Sequence, residues 1–385
     1  MRAIRITARG FRNLGDLDLP LPRSGAVFLG PNGQGKTNLL EALYYPVLYR
    51  SFRGAPDTDL VRWNGDDVAG DGFHLALTVE NEEAPPAGPE WPESRETVFT
   101  AGFQRAGRRK HIARDGVPFD RQRDAIGQWL AVTFLPADLG LVQGAAAGRR
   151  QYLDRVLALS DPSYLRTLAR YRTALAQRNA ALRAGQRDVA CAFDGALADN
   201  GARLVARRLT WIESIQTRFA EECDTLGERM AVAMEYRGTI ELAHRAAWPD
   251  ALARSLPRDL ARRTTMTGPH RDDLLLLLGD RRSFRDFGSR GQHRSAAIAL
   301  KLCEVETLAQ DRQQAPALLL DDIFAELDEE RQRRLAARLG QRTGRRQIFV
   351  TAPRADELPP GLDLPVMRVD GGRVFPPTGG GKGAA

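Results

Sequence analysis

Gly30-Pro-Asn-Gly-Gln-Gly-Lys-Thr37 is the stretch on which the reading of this chain turns. Its final glycine, lysine and hydroxyl residue stand in the spacing of a phosphate-binding loop. Before it, Ala26-Val-Phe-Leu29 is short and apolar, as a buried strand is. After it, the run from Lys36 through Asn38-Leu-Leu-Glu-Ala-Leu-Tyr reads as a helix. Glycines let backbone N–H groups wrap phosphate oxygens, and the helix N-terminus adds the positive end of its dipole. In such a loop Gly30, Pro31, Asn32, Gly33, Gln34, Gly35, Lys36, Thr37 and Asn38 surround the nucleotide. Lys36 reaches the β- and γ-phosphates, and the Thr37 hydroxyl takes Mg2+. ATP and Mg2+ are the expected cofactors.

The loop needs a second half further along the chain. Ala317-Leu-Leu-Leu-Asp-Asp322 is an apolar strand ending in two carboxylates. Asp321 at its tip suits the Mg2+ shell, usually through water. Asp322 then stands where a carboxylate orients or deprotonates an attacking water, so Lys36, Asp321 and Asp322 are the expected catalytic set. Before this strand comes Ser289-Arg290-Gly291-Gln292, opening the helix read over Ala296 to Leu308; a serine and a glycine at a helix start form an anion-binding end. After it comes Ala325-Glu-Leu-Asp328. Taken singly, a strand ending in acids and a serine cap are common. Their order is that of ABC-type ATPase heads.

Composition bounds the rest. The 385 residues are 43% hydrophobic and 27% charged, those of an ordinary globular chain long enough for two or more domains. No run of eighteen apolar residues and no signal-peptide stretch is present, which predicts a cytoplasmic, nucleoid-associated protein with no membrane partner. Three scattered cysteines fit reduced thiols, and neither they nor the five histidines have zinc spacing. Strands are expected at Arg2 to Ala8, Leu14 to Leu19, Phe73 to Glu80 and Thr97 to Gln104, with a proline-rich surface loop from Ala84 to Pro92. From Gln122 to Glu235 the chain turns Ala-, Leu- and Arg-rich and helical. Strands return at 273–278, 317–321 and 347–350. The expected layout is an α/β ATPase head, 1–121 and 236–370, with an inserted all-helical lobe, 122–235, and a flexible tail, 371–385.

Further segments make the resemblance specific. Phe11-Arg-Asn13, Phe134-Leu-Pro-Ala-Asp-Leu139, Arg149-Arg-Gln-Tyr-Leu-Asp154, Gln177-Arg-Asn179 and Thr267-Gly-Pro-His-Arg-Asp-Asp273 resemble the RecF family rather than ABC proteins in general. With the nucleotide motifs they span residues 11 to 328. The resemblance implies a homodimer induced by ATP, in which Ser289, Arg290, Gly291 and Gln292 of one chain complete the nucleotide site of the other. It further implies weak, DNA-stimulated ATP hydrolysis. Its role would be recombinational repair and replication restart: binding duplex and gapped DNA and aiding RecA loading, with RecR and RecO as partners. Asp322 stands where most ABC ATPases carry glutamate, and Thr351-Ala-Pro where transporters carry a switch histidine. His270 and Arg271 either line the site or fix a tight turn through Gly268-Pro269, and the turn is favoured.

Net charge is +7, from 56 basic and 49 acidic residues, a mild push towards nucleic acid. Distribution says more: residues 149 to 183 hold eight arginines against Asp154 and Asp161, a local +6. Arg149, Arg150, Arg166 and Arg170 are the candidate DNA contacts, against the plainer reading of a solvated helix face. A transporter motor would need a membrane partner, an SMC-type ATPase a long coiled-coil arm, and a small-molecule kinase has no use for the serine-glycine signature. A module that holds ATP without turning it over remains the alternative.

Overall fold

The computed structural model describes residues 1–62, 71–81, 96–340 and 346–376. The expected loop from Ala84 to Pro92 and the last residues of the tail, 377–385, lie outside them. The chain divides into two compact units, Met1–Pro136 with Leu308–Ala385, and Ala137–Thr307.

Two sheets build the first unit. One orders β2 (Leu17–Pro20), β1 (Arg2–Arg9), β4 (Gly72–Glu80), β5 (Glu96–Gln104), β6 (Arg109–Arg114) and β7 (Val117–Pro118), all antiparallel. Burial alternates residue by residue along β4 and β5, because only one face of this sheet meets the core. That face carries Phe73, which meets Phe11 and Tyr45 edge-on at centroid distances of 5.3 and 5.5 Å. Tyr45 belongs to the helix Lys36–Leu48, so the cluster ties the helix after the phosphate loop to the sheet.

The other sheet orders β15 (Arg373–Phe375), β14 (Val366–Asp370), β3 (Gly25–Leu29), β13 (Ile348–Ala352), β12 (Ala317–Leu320) and β8 (Ala131–Phe134). All neighbours are parallel except the β14–β15 hairpin. The four strands β3, β13, β12 and β8 are apolar runs covered on both faces, as parallel strands are. Parallel pairing brings their carboxyl ends to one edge, where open α/β sheets place their ligands. The order β3–β13–β12 puts the end of β13 between the phosphate loop and Asp321.

Here two expectations are corrected. β8 falls inside the stretch read as helical from Gln122; its alanine and lack of alternation hid a fully buried strand. Residues 371–376, read as the start of a flexible tail, form a hairpin: Asp370 pairs with Arg373 across Gly371 and Gly372, both at positive φ.

The Ala137–Thr307 unit is wider than the helical lobe expected over 122–235. It holds the helices Ala146–Ser160, Pro162–Arg183, Asp194–Thr225 and Trp248–Arg262, and also the antiparallel sheet β11 (Arg282–Ser283), β10 (Asp273–Leu278) and β9 (Val232–Arg237). The β9–β10 pairing carries the unit past residue 235. Close helix packing needs Gly201, where a Cβ would lie 2.2 Å from the Trp248 ring. Arg178 is fully buried on Asp194 (2.8 Å), Asp259 (2.7 Å) and the Thr265 hydroxyl (2.9 Å), while Asn179 Oδ1 accepts from the Thr265 amide at 2.7 Å. The Gln177-Arg-Asn179 segment thus pins the loop after Arg262. In the same unit His270 bonds Tyr171 Oη at 2.7 Å and the Thr265 carbonyl at 3.0 Å. Burial is the main reason its pKa is lowered to about 4, so the ring is neutral near pH 7. These contacts fit the turn-fixing reading.

Candidate nucleotide site

The loop Gly30–Gly35 leaves the carboxyl end of β3 and turns into the helix Lys36–Leu48 through Gly33 (φ 81°) and Gly35 (φ 103°). Only 4% of Lys36 is exposed; its ammonium donates to Gly30 O at 2.7 Å, Pro31 O at 3.2 Å and Asn32 Oδ1 at 3.4 Å. A cation lies among the loop carbonyls, at the mouth of a helix whose N-terminus carries no side-chain cap.

Thr37, the next residue, donates its hydroxyl to Asp321 Oδ1 at 2.9 Å, across 284 residues of sequence. Thr351, near the end of β13, lies at 2.9 Å from the same oxygen and 3.1 Å from Asp322 Oδ1, and it accepts from the Asp322 amide at 2.9 Å. Thr351 has one hydroxyl proton for two carboxylates, so it holds both in register but satisfies one at a time. Asp322 adopts φ 47°, a left-handed backbone, and its Oδ1 meets the same Thr351 hydroxyl as Asp321 Oδ1. The Asp321 carboxyl is held above the ordinary carboxylate range, first by burial and further by the Asp322 charge. Donation from Thr37 and Thr351 and the Arg53 charge oppose that rise.

An outer ring of contacts fixes the loop. Asn13 Nδ2 donates to Gly33 O at 3.0 Å, and Asn38 Nδ2 donates to Asn13 Oδ1 at 2.6 Å. Arg12 grips the fully buried Glu41 of the following helix through Nε (2.9 Å) and Nη2 (3.1 Å). Gly371 and Gly372 of the β14–β15 turn donate to Gln34.

The structure joins Thr37, Asp321 and Asp322 in one hydrogen-bonded group through Thr351, with Lys36 immediately before Thr37. The sequence reading missed Thr351 as their link, Arg53 as a nearby charge, and the Gly371-Gly372 turn. Asn13 entered it only through a family segment. A threonine immediately before Ala352-Pro353, at the end of an apolar strand, was the available signal for Thr351.

In the Ala137–Thr307 unit the serine-glycine segment caps a helix reciprocally. Ser289 Oγ accepts from the Gln292 amide at 3.3 Å, and Gln292 Oε1 accepts from the Ser289 amide at 2.8 Å. Ser289 and Arg290 are exposed, Gly291 and Gln292 half-buried, at the head of the helix Arg290–Asp311. His293 beneath them is buried, bonded to Gln143 and the Phe284 carbonyl.

The four candidate DNA arginines divide. Arg149 is 5% exposed and sits bidentate on Asp273, both bonds 2.8 Å, with a third to Gly144 O. It is a structural cation of the helix Ala146–Ser160, sharing the face of Leu153 and Val156, and the expectation that it contacts DNA is corrected. Arg150 is half-buried and donates to the Asp272 carbonyl at 2.8 Å. Arg166 and Arg170 are exposed, one turn apart on the helix Pro162–Arg183. Among the described residues no helix is long and apolar enough to cross a membrane.

Comparison with known proteins gives one consistent result. The family described as the RecF/RecN/SMC N terminal domain matches residues 3–360. This chain is 36% identical to a DNA replication and repair protein RecF of Anaeromyxobacter sp. (strain Fw109-5), over 98% of this chain and 99% of that one. It is 38% identical to the RecF protein of Chloroflexus aurantiacus, covering 86% and 88%. A solved structure of the recombination mediator protein RecF-ATP in the RecFOR pathway superposes with a TM-score of 0.83 at 27% identity, covering 97% of each chain. An Smc head domain from Pyrococcus furiosus shares the fold, with a TM-score of 0.58 at 15% identity, covering 97% of this chain and 95% of that one.

Proposed function

Because this chain belongs to the RecF/RecN/SMC family, we propose that it is a RecF-type ATPase of DNA repair and replication, which binds duplex and gapped DNA as an ATP-induced homodimer. The observation that carries the reading is the meeting of Thr37 and Asp321 beneath Lys36. Their oxygens lie 2.9 Å apart, about the separation of neighbouring ligands around an octahedral Mg2+ with bonds of about 2.0–2.1 Å. Mg2+ favours sites that supply one or two protein oxygens and leave the rest to water and phosphate, and this pair is such a site. Mg2+ held there would neutralise developing phosphate charge. Lys36 would pair with the β- and γ-phosphates, and Gly33 and Gly35 would let the loop amides face them. Asp322, held by Thr351, would orient the attacking water.

The exposed serine cap supports a shared site. A reciprocal cap leaves Ser289, Arg290 and Gly291 at a helix mouth suited to the γ-phosphate on a second copy. The neighbour solved as RecF-ATP in the RecFOR pathway supports ATP as the nucleotide and RecR with RecO as partners; aid to RecA loading through them belongs to the same proposal. Sedimentation with and without ATP and gapped DNA tests the whole reading: ATP-dependent dimers that retain DNA are expected, and monomers under every condition would overturn it. A second reading, a chain that holds ATP without hydrolysing it, draws on Asp322, which is short and already engaged by Thr351. Phosphate release with and without DNA separates the two.

Ser289→Arg is expected to leave ATP binding by the monomer intact while preventing the dimer, since the serine serves the partner's nucleotide. Equilibrium binding and sedimentation of the same sample check this, and loss of monomer binding would place the whole site within one chain.

For DNA, Arg166 and Arg170 are the surviving candidates, with Arg150 contributing less because of its bond to Asp272. Arginine forks grip phosphate oxygens without reading bases. Replacing Arg166 and Arg170 together by glutamate should weaken binding to all sequences and reduce the log–log salt slope by about two, given about 0.9 per phosphate contact. ATP affinity should not change. Normal binding by this variant across several salt concentrations would remove the helix Pro162–Arg183 from the DNA surface.

A further inference from the structure

A phosphate loop presents its amides to the phosphate oxygens, so its carbonyls need donors of their own. Lys36 serves Gly30 O and Pro31 O, Asn13 serves Gly33 O, and the β14–β15 hairpin serves Gln34 O. The β14–β15 hairpin closes through Gly371 (φ 53°) and Gly372 (φ 76°), a two-residue turn with both amides free of the strand ladder. The Gly371 amide donates to Gln34 Oε1 at 2.7 Å, and the Gly372 amide donates to Gln34 O at 3.0 Å. Gly372 O in turn accepts from the Gly15 amide at 2.8 Å, which locks the turn to the segment carrying Asn13. At the loop's other end the hairpin presses against Gly30, where a Cβ would lie 2.1 Å from Val369 O. A Cβ on Gly372 would lie 2.0 Å from Asn13 O, so this position of the turn fits only as glycine.

We propose that the Gly371-Gly372 turn and the Gln34 side chain form a clamp that positions the phosphate loop, with Gln34 the positioning residue. Gln34 is held twice, by side chain and by carbonyl, from a single turn. The bond to Gln34 O fixes the Gln34–Gly35 peptide plane and with it the direction of the Gly35 amide, and the bond to Oε1 holds the Gln34 side chain on the turn. The clamp rests on the nucleotide reading above and adds to it a cause for loop pre-organisation. Its consequence is reciprocal: a nucleotide that orders the loop also steadies the turn.

The test uses the full chain with ATP and Mg2+. Gln34→Met keeps the size of the side chain and removes its acceptor. It is expected to weaken ATP binding about three- to tenfold, the range of one neutral hydrogen bond. It should raise KM with kcat at saturation little changed, the signature of lost uniform binding. Its unfolding temperature without nucleotide should match that of the wild type, which a merely structural role would not leave in place. Gly371→Asn keeps the amide and tolerates the positive φ, with nothing within 4 Å of its Cβ, and should retain the clamp; Gly372→Ala should lose it. In hydrogen exchange, ATP should slow the Gly371 amide in the wild type and not in Gln34→Met, whose Gly372 amide keeps its bond to the residue 34 carbonyl. A wild type that binds ATP while Gln34→Met binds equally well overturns the clamp alone. A wild type that does not bind ATP overturns the nucleotide site itself, and the clamp with it.

Discussion

Lys36→Ala is expected to weaken ATP binding by about two to three orders of magnitude, the cost of truncating one partner of a buried, hydrogen-bonded charge pair. ATP-dependent dimerisation should disappear with it. The lysine is 4% exposed and packed among Gly30 O, Pro31 O and Asn32 Oδ1, so the triphosphate would meet a cation already desolvated and aimed. Alanine removes that charge together with its three bonds to the loop. Calorimetric titration gives the affinity and sedimentation the assembly. A Lys36→Ala chain that still dimerises with ATP would strip Lys36 of its role.

Asp322→Asn separates binding from turnover. The amide keeps the size of the carboxylate and an oxygen that can still accept from Thr351, but it lacks the charge that polarises water. Hydrolysis should fall by about 10²- to 10⁴-fold, while ATP binding persists and the dimer accumulates. Electrostatics favour that outcome. The Asp322 charge is among the causes that raise the Asp321 pKa, so its removal leaves Asp321 easier to ionise and its Mg2+ role intact. Single-turnover phosphate release and sedimentation in ATP together read the effect. Wild-type turnover in Asp322→Asn would move the catalytic carboxylate elsewhere.

What the residues disclosed in advance was the chemistry that is local in sequence. Gly30 to Thr37 signals a strand, a turn and a helix by spacing alone. Leu318 to Asp322 announces a buried strand with acids at its end, and Ser289 to Gln292 announces a cap. Parallel pairing then assembles them, and the pattern needed no knowledge of which strand lies between. Thr351 was noted only as standing where transporters carry a switch histidine; its link to Asp321 and Asp322 comes from the order β3–β13–β12, which no local pattern encodes. Gly371-Gly372 was misread because a glycine pair marks both a loose tail and a tight hairpin, and the strands beside it are short. Arg149 was misread because a charge count ignores direction. It lies four and seven residues before Leu153 and Val156, on the buried stripe of its helix, where Asp273 is waiting.

The order of the central sheet has a consequence for how the protein is made. β3, with the phosphate loop at its end, is flanked by β13 and β14, whose residues are synthesised some 320 positions later. At about 5–20 residues per second, a nascent chain emerges for tens of seconds with that apolar strand unpaired on both edges. The Ala137–Thr307 unit is contiguous in sequence and can fold as it emerges. The discontinuous unit must wait for the last strands, so stalled or prematurely terminated synthesis would release a folded middle and an aggregation-prone N-terminal strand.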